Sequence, residues 1–447
     1  MSTPKVYGGD SPPRHPLARH GRGLRALTVL ALLTATPSLS AQVPGVEADV
    51  LRLGGVMDLA GATRALGVGM SNGIRAALEG QTVRGRRIEY RVVNDFYDPN
   101  LAVQGVRQLL ADGVFLMVGN VGTPTARVTL PLLAEAGVPA VGFFTGAGLL
   151  RPGVGDIVNF RASYVQETAA VIRAALEAGL PVERLCAFVQ NDAYGMAGLQ
   201  GIVDALANRP GAAALVTGLE DLMAITGAPP ARNFLGPVGV YERNTLTIRE
   251  GFESLKIYEQ GANTRCGLVI TVGTYETVAN FTAYARGKGE PWVVSAVSFT
   301  GAGNLAGALA QFGVEGGVVM TQVVPPLDAE LAVVADARTN LGRDFNRISL
   351  EGYIVGRMTL AILTRMADPP SQDAFVEAVR GQRFEVDGLS LDFTDDNQGS
   401  DAVSFDVFDG SDFLPTTPAT LMEQLAPLIS NPQRETAPTA PLPQASN

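Results

Sequence analysis

Short apolar runs alternate with amphipathic stretches over the first third of this chain. The apolar runs have the length of strands buried on both faces, and the stretches between them repeat apolar residues at helical spacing. Strands are predicted over 50–57, 87–94, 114–118 and 140–143, with helices over 66–78, over 99–111 behind an Asp98 cap, and from Pro124 onward. This alternation indicates a parallel sheet covered by helices on both faces.

A second set of the same kind begins near Arg161. Ser163 and Gln166 have the spacing of a capping box, ahead of a helix that reaches Gly179. Further strands are predicted over 185–190, 213–217, 267–272 and 292–297, and helices over 195–207, 247–260 and 278–287. The Gly- and Pro-rich stretch 227–244 is predicted to be a long loop.

The last part of the body crosses back between the two sets. A strand over 317–323 is followed by helices over 329–341, 350–366 and 372–380, then by strands over 389–393 and 403–408 predicted to pair antiparallel. We expect an α/β fold of two doubly wound parallel-sheet lobes joined by a multi-crossover hinge. Lobe 1 would comprise 48–161 plus 325–385, and lobe 2 would comprise 162–324 plus 386–415. The composition of 431–447 predicts a disordered tail.

Two consecutive strands of the first set end in small polar loops that carry glycine. These loops contain Gly122-Thr123-Pro124-Thr125 and Phe144-Thr145-Gly146. The first loop opens a helix, with Thr123 predicted as its cap and Pro124 in its first turn. Open parallel sheets bind ligands at the carboxyl ends of their strands, and the free N–H groups of a helix N-terminus favour a carboxylate. Two such loops favour a binding site over two ordinary turns.

The composition restricts the classes of function. The 447 residues, 46% of them hydrophobic, are sufficient for two packed lobes. The net charge of −10 and the pI near 4.9 disfavour binding to a phosphate backbone, so no nucleic-acid partner is expected. The chain has no phosphate-loop motif, and the glycines that follow Gly67 depart from the dinucleotide fingerprint. No cofactor and no metal are expected.

Residues 1–41 have the pattern of an export signal. Four arginines from Arg14 to Arg25 form a positive region, residues 24–34 supply a short apolar core, and small residues over 37–41 resemble a cleavage site. No cysteine lies nearby to carry a lipid, so we expect an exported, periplasmic protein without a lipid anchor. Both histidines, His15 and His20, lie in this segment. A mature chain without histidine excludes Ser-His-Asp and Cys-His catalysis and histidine zinc sites, and no enzyme is predicted.

The sequence contains two cysteines, Cys186 and Cys266. Each lies near the start of a predicted strand in the second set, and these strands are neighbours in a flavodoxin-like order. An exported protein can oxidise such a pair to a disulfide. The alternative is two buried thiols, which cysteine tolerates well.

Eight short motifs in order resemble the type I periplasmic solute-binding proteins of ABC importers. The resemblance is to the branch that binds leucine, isoleucine, valine and related amides, and it extends from Val50 to Pro415. The motifs include Leu53-Gly54-Gly55-Val56, Asn94-Asp95-Phe96-Tyr97-Asp98-Pro99, Phe160-Arg161-Ala162-Ser163, Asn191-Asp192-Ala193-Tyr194-Gly195 and Leu350-Glu351-Gly352-Tyr353. The resemblance implies two α/β lobes with the ligand between them.

The resemblance also implies which residues contact the ligand. The two first-lobe loops would hold a carboxylate or amide oxygen, and Tyr194 would close over the ligand from the second lobe. Thr274, Tyr275 and Ser298 follow second-lobe strands and would complete the site. Amino-acid binders of this family commonly carry an acidic residue after the later strand, whereas residues 297–299 here contain no carboxylate. This departure weakens the expectation of an α-amino acid ligand.

We therefore expect the solute-binding subunit of an ABC importer, monomeric, that captures a small carboxylate- or amide-bearing organic molecule. Its partners would be that ligand and a permease in the inner membrane. The alternative is a periplasmic receptor of the same fold that reports its ligand to a signalling protein.

Overall fold

The first sheet of the molecule is built from strands in the amino-terminal part of the chain. The computed structural model describes residues 43–430, so the signal predicted over 1–41 and the tail predicted over 431–447 lie outside the described residues. The strands are β1 (Val50–Met57), β2 (Thr82–Val83), β3 (Arg86–Asn94), β4 (Leu116–Val118), β5 (Ala140–Val141) and β6 (Ile157–Val158). Their order across the sheet is β2-β3-β1-β4-β5-β6, and all pairs except β2–β3 are parallel.

Three helices connect the strands of this first lobe. They are α1 (Arg64–Leu78), α2 (Pro99–Ala111) and α3 (Thr123–Ala136). The Asp98 side chain accepts a hydrogen bond from the N–H of Asn100 at 2.8 Å, as an N-cap does, and Pro99 occupies the first turn of α2. These local signals explain why the predicted start of α2 is confirmed.

The second lobe begins with α4 (Tyr164–Glu177), which starts at the predicted capping box. The Ser163 hydroxyl accepts from the N–H of Gln166, and the Gln166 side chain accepts from the N–H of Ser163. The elements that follow are β7 (Leu185–Gln190), α5 (Ala193–Leu206), α6 (Ala213–Ala224), β8 (Val238–Tyr241), α7 (Arg249–Gly261), β9 (Leu268–Val272), α8 (Tyr275–Gly287), β10 (Val293–Ala296), α9 (Ala302–Gln311) and β11 (Val318–Gln322).

The chain then returns to the first lobe and crosses once more. The returning elements are α10 (Ala332–Leu341), α11 (Arg347–Arg365), α12 (Gln372–Val379) and the hairpin of β12 (Arg383–Val386) and β13 (Leu389–Asp392). After the second return come β14 (Ser404–Phe408), β15 (Phe413–Thr416) and α13 (Pro418–Ser430). The second sheet has the order β15-β14-β11-β10-β9-β7-β8. In it, β14 runs antiparallel to β11, and β15 runs antiparallel to β14.

The hinge is formed where the chain passes between the sheets, over 159–163, 323–331 and 393–403. Two of these crossings run side by side: the N–H of Asn159 donates to the carbonyl of Asn397 at 2.8 Å, and the N–H of Gly399 donates to the carbonyl of Asn159 at 2.9 Å. The lobe boundary predicted at residue 386 falls inside the β12–β13 hairpin, so the final crossing follows Asp392.

Three predicted elements are wrong. Residues 213–217 form the start of α6, because the apolar run continues at helical spacing and buries Leu219 and Leu222. The predicted loop 227–244 contains the buried edge strand β8, which pairs with β7 on one side. The strands over 389–393 and 403–408 do not pair with each other, since β13 pairs with β12, and β14 lies between β11 and β15.

A disulfide joins Cys186 to Cys266 inside the second lobe. Cys186 lies in β7 and Cys266 lies just before β9, and these strands are parallel neighbours, as the flavodoxin-like order suggested. The bridge closes a loop with a sequence separation of 80 residues and belongs to a small buried cluster that also contains Trp292.

Candidate functional site

The carboxyl ends of the two parallel sheets face each other across the cleft. The Tyr275 hydroxyl, from the second lobe, donates to the carbonyl of Ala62 in the first lobe at 2.8 Å. The Gln190 side-chain amide, at the end of β7, donates to the Tyr97 hydroxyl at 3.3 Å. Since both contacts lie at or just after the carboxyl ends of strands, the lobes meet at the edges where open α/β sheets bind ligands.

The two first-lobe loops come together as a pair of threonines. The hydroxyl oxygens of Thr123 and Thr145 lie 2.7 Å apart, and both side chains are buried. The prediction that Thr123 caps α3 is wrong, because Gly122 is the N-cap residue and Thr123 already belongs to the helix. Gly122 has a φ of +109°, and a Cβ there would lie 2.4 Å from the Tyr97 ring, so only glycine fits. Pro124 occupies the first turn, as predicted.

Other predicted first-lobe residues hold these loops in shape. The Thr125 hydroxyl donates to the carbonyls of Val121 at 2.8 Å and Gly122 at 3.0 Å. The carbonyl of Gly146 accepts from the N–H of Tyr164 at 2.8 Å. The Thr125 hydroxyl therefore donates its hydrogen bonds within the loop. The N–H groups in the first turn of α3, by contrast, are of the kind that have no partner inside a helix.

Five aromatic side chains fill the space between the two edges, and we call them the aromatic cluster. They are Tyr97, Phe144, Tyr164, Tyr194 and Phe299, and all are buried. Phe299 is central: its ring centroid lies 5.1 Å from that of Phe144, 4.7 Å from Tyr194, 6.4 Å from Tyr97 and 6.5 Å from Tyr164. Burial raises the pKa of the Tyr97 and Tyr194 hydroxyls well above the ordinary value, so both stay neutral. The cluster provides an apolar wall with hydroxyl groups at its margin.

The remaining second-lobe residues are held by polar contacts at strand ends. Thr274 precedes α8, and its N–H donates to the Tyr241 hydroxyl at 2.9 Å. Ser298 follows β10, and its N–H and hydroxyl donate to the two carboxylate oxygens of Glu167 at 2.7 and 2.9 Å. The structure thus places Tyr194, Thr274, Tyr275 and Ser298 at one edge of the second sheet.

A buried charged group at the hinge end of the cleft was absent from the predicted site. Arg161 in the first crossing donates to Ser298 and, at 3.4 Å, to Glu167, and its Nη1 lies 3.6 Å from a carboxylate oxygen of Glu351 on α11. Its guanidinium also lies 5.0 Å from the centroid of the Phe144 ring. Arg161 and Glu351 each occur in the motifs that carried the family resemblance, but their pairing depends on the tertiary fold.

The ligand-free protein should lose stability as the pH rises from about 4 to 7, because of two buried carboxyls. Burial raises the pKa of Asp95 from 3.8 to about 7 and that of Glu351 from 4.5 to about 7. The folded state binds more protons than the unfolded state in this interval, so the free energy of unfolding falls as the pH rises, by up to about 3–4 kcal/mol for each group. Chemical denaturation of the wild type and of an Asp95→Asn/Glu351→Gln variant across this interval measures the difference. Parallel pH curves for the two proteins would contradict it.

Two further features concern metal binding and membrane insertion in the described part of the chain, residues 43–430. None of its His, Cys, Asp and Glu side chains form a group of three or more arranged to hold a metal ion. None of its helices is both long and apolar enough to cross a bilayer.

Comparison with known proteins identifies relatives of this arrangement. A family model described as a periplasmic binding protein matches residues 50–219. A possible leucine/isoleucine/valine-binding protein from Rhodopirellula baltica is 28% identical, with 86% of this chain and 99% of that chain covered and a TM-score of 0.73. No curated protein matches the chain.

Two less similar structures share the fold. A branched-chain amino acid ABC transporter protein from Thermus thermophilus, solved with valine, is 15% identical, with 83% of this chain and 96% of that chain covered and a TM-score of 0.64. A solute-binding protein from R. palustris, solved with 4-hydroxybenzoate, is 14% identical with the same two coverages and a TM-score of 0.63. The chain therefore has the two-lobed fold of these periplasmic binding proteins, and over residues 50–219 it is similar in sequence to their family.

Proposed function

We propose that this protein is the extracytoplasmic solute-binding subunit of an ABC importer. It would capture a small carboxylate- or amide-bearing organic molecule between its lobes and present the closed form to a permease in the inner membrane. The observation that carries this proposal is the meeting of strand ends from both sheets, with predicted contact residues on each side. The solved relatives with bound valine and 4-hydroxybenzoate support a ligand that combines a carboxylate with an apolar body.

The first lobe supplies the polar end of the proposed site. The paired hydroxyls of Thr123 and Thr145 lie beside the start of α3, where unpaired N–H groups and the helix dipole favour a carboxylate. The second lobe supplies Tyr194, Tyr275 and Ser298, whose contacts with a ligand exist only when the lobes are closed. Such state-dependent contacts give the differential affinity that closure requires.

The proposed role is capture without chemistry. Both histidines of the sequence lie in the predicted signal segment, and the family consists of solute-binding proteins. Export to the periplasm agrees with that segment and with the family. A monomer is proposed because each chain contains both lobes of the cleft.

A thermal-shift screen of small carboxylates and amides tests this function. A ligand should raise the melting temperature and be recovered unchanged, because binding to the folded state alone stabilises it. Recovery of a chemically altered ligand would instead indicate an enzyme, and a screen without any stabilising compound would count against the function.

A pair of hydroxyl deletions locates the site. In the Thr123→Val/Tyr275→Phe variant, one lost hydroxyl lies at the proposed carboxylate position and the other joins the lobes, so affinity should fall at least about tenfold, or about 1.4 kcal/mol. The matched control is Thr282→Val, which removes a buried hydroxyl that donates to the carbonyl of Val278 within α8. Calorimetric titration should show wild-type affinity for the control. Equal affinity for the double variant would place the ligand elsewhere.

A further inference from the structure

Two loops meet at the mouth of the cleft, at the end opposite the hinge. One loop follows β3 in the first lobe, and the other follows β8 in the second lobe. β3 is four strand spacings from β6, after which the first crossing leaves, and β8 is four spacings from β11, after which the second crossing leaves. Four spacings of about 4.8 Å place both loops about 19 Å from the hinge.

Two hydrogen bonds join the lobes at this mouth. The Asn244 side-chain amide, in the loop after β8, donates to the carbonyl of Phe96, in the loop after β3, at 3.3 Å. The Gln190 side-chain amide, at the end of the neighbouring strand β7, donates to the Tyr97 hydroxyl at 3.3 Å. Since each bond has its donor in the second lobe and its acceptor in the first, neither survives when the lobes part.

Arg243 adds an ionic contact beside these hydrogen bonds. Its guanidinium lies 3.3 Å from a carboxylate oxygen of Asp192 in its own lobe and 4.0 Å from one of Asp98 in the first lobe. The contact with Asp192 persists in an open form, whereas the contact with Asp98 exists only in the closed one. The side chains of Arg243 and Asp98 are 25% and 37% exposed, so salt should screen their attraction.

The first-lobe loop has its shape before the lobes meet. Phe96 and Tyr97 have φ values of +52° and +56°, a left-handed conformation that is uncommon for residues other than glycine and concentrates at functional segments. The side chains of Asn94 and Asp95 hold this conformation by accepting from the N–H groups of Phe96 and Tyr97 at 3.2 and 2.8 Å. The carbonyl of Phe96 is therefore presented on a preorganised backbone, which reduces the entropy lost when Asn244 binds it.

We propose that these contacts form a clasp that holds the mouth of the cleft closed, also in the ligand-free protein. The clasp comprises Phe96, Tyr97 and Asp98 of the first lobe and Gln190, Arg243 and Asn244 of the second lobe. A hinge rotation of about 15° moves loops at about 19 Å by about 5 Å, which breaks every hydrogen bond in the clasp. The clasp therefore determines how often the empty cleft opens. It also prolongs the residence of a bound solute, and that consequence alone rests on the proposed function.

An introduced thiol in the cleft measures how often the mouth opens. The two cysteines of the chain are joined in the disulfide, so a cysteine placed at Thr145 reacts alone. Thr145 is buried in the cleft, and the uncharged reagent dithiodipyridine should label Thr145→Cys only when the lobes part. When the lobes reclose faster than the thiol reacts, the labelling rate is proportional to the open population. Thr282→Cys, buried within the second lobe, reports unfolding instead.

The clasp variant is Arg243→Met/Asn244→Gly, made in each reporter. Methionine removes the charge of Arg243, and glycine removes the amide of Asn244 while accepting its φ of +59°. Labelling of Thr145→Cys should be at least about fivefold faster in this variant, the factor expected from losing one hydrogen bond and one exposed ion pair. Labelling of Thr282→Cys should not change.

The matched control is Arg357→Met/Asn263→Gly, which repeats the two replacements away from the mouth. Arg357 is also 25% exposed and pairs with Asp387 at 2.7 Å inside the first lobe, and Asn263 has a φ of +47° in the second lobe. Since neither residue touches the opposite lobe in these contacts, the control should label Thr145→Cys at the rate of the reporter alone.

The outcomes decide the proposal without a ligand. Equal labelling of Thr145→Cys with and without the clasp substitutions overturns it, as does an equal acceleration by the control. Faster labelling of Thr282→Cys as well would indicate unfolding and would also overturn it. Raising the salt from about 20 mM to about 1 M should speed labelling in the reporter alone and not in the clasp variant, and equal salt effects would overturn the part assigned to Arg243. Each of these results leaves the proposed solute-binding function untouched.

Discussion

Replacing Phe299 with alanine is expected to destabilise the ligand-free protein by about 3–5 kcal/mol, the usual cost of removing a buried phenyl ring. The Phe299 side chain is fully buried and contacts rings of both lobes, Phe144 and Tyr97 on one side and Tyr194 on the other. Its loss would leave a ring-sized gap at the centre of the interface between the lobes. Denaturant unfolding monitored by circular dichroism measures the cost.

The same variant should also open the cleft. Phe144, the first-lobe ring nearest to Phe299 among its ring contacts, would lose the partner that fastens it to the second lobe. X-ray scattering should therefore show a larger radius of gyration for Phe299→Ala than for the wild type. The matched control is Phe281→Ala, because that ring is equally buried but stacks on Phe188 within the second lobe. The control should cost a similar free energy of unfolding and keep the wild-type radius.

The result bears directly on how the protein binds its ligand. If Phe299→Ala stays as compact as the wild type, the edges are joined by a permanent core and the proposed cleft would not admit a solute. If it opens, the aromatic cluster is a closure surface whose rings can also enclose an apolar ligand body.

Much of the fold could be predicted because its signals are local. The cap at Asp98 and the capping box of Ser163 with Gln166 fix where α2 and α4 begin, and each depends on residues within one helical turn. The errors arise where a local signal is ambiguous. A short apolar run such as 213–217 fits a strand or a buried helix equally, and only packing decides.

The residues of the candidate site show the same difference between local signals and contacts that depend on the tertiary fold. Thr123 and Thr145 follow consecutive strands, so the parallel sheet itself brings their loops together, and the sequence sufficed. Arg161 and Glu351 are separated along the chain by most of the second lobe, and their contact is made only when the hinge crossings and α11 are in place. Burial of an arginine in a crossing segment has no periodic pattern that would reveal it. Phe299 follows β10, but its central position depends on closure of the lobes.

Loss of the buried arginine at the hinge, Arg161, should also destabilise the protein strongly. Substituting Arg161 with methionine should destabilise the protein by about 3–5 kcal/mol, because the side chain is 1% exposed and its removal leaves the carboxylates of Glu167 and Glu351 buried together. The surface pair of Arg357 with Asp387 provides the comparison: Arg357→Met should cost less than about 1 kcal/mol. Equilibrium unfolding in urea gives the loss of stability for both variants. Equal losses would show that Arg161 does not compensate the buried carboxylates at the hinge.

Adding Glu351→Gln to Arg161→Met should restore part of the lost stability, since the neutral amide removes one of the two repelling charges. A coupling free energy of about 0.5–3 kcal/mol is typical of residues in one ionic network, and a double-mutant cycle would measure it here. Strict additivity would mean that Glu351 is already neutral beside Arg161 at the pH of the experiment. Arg161 comes from the first crossing, Glu167 from the second lobe and Glu351 from the first lobe. The coupling therefore measures whether ionic contacts at the hinge help to hold the two lobes together.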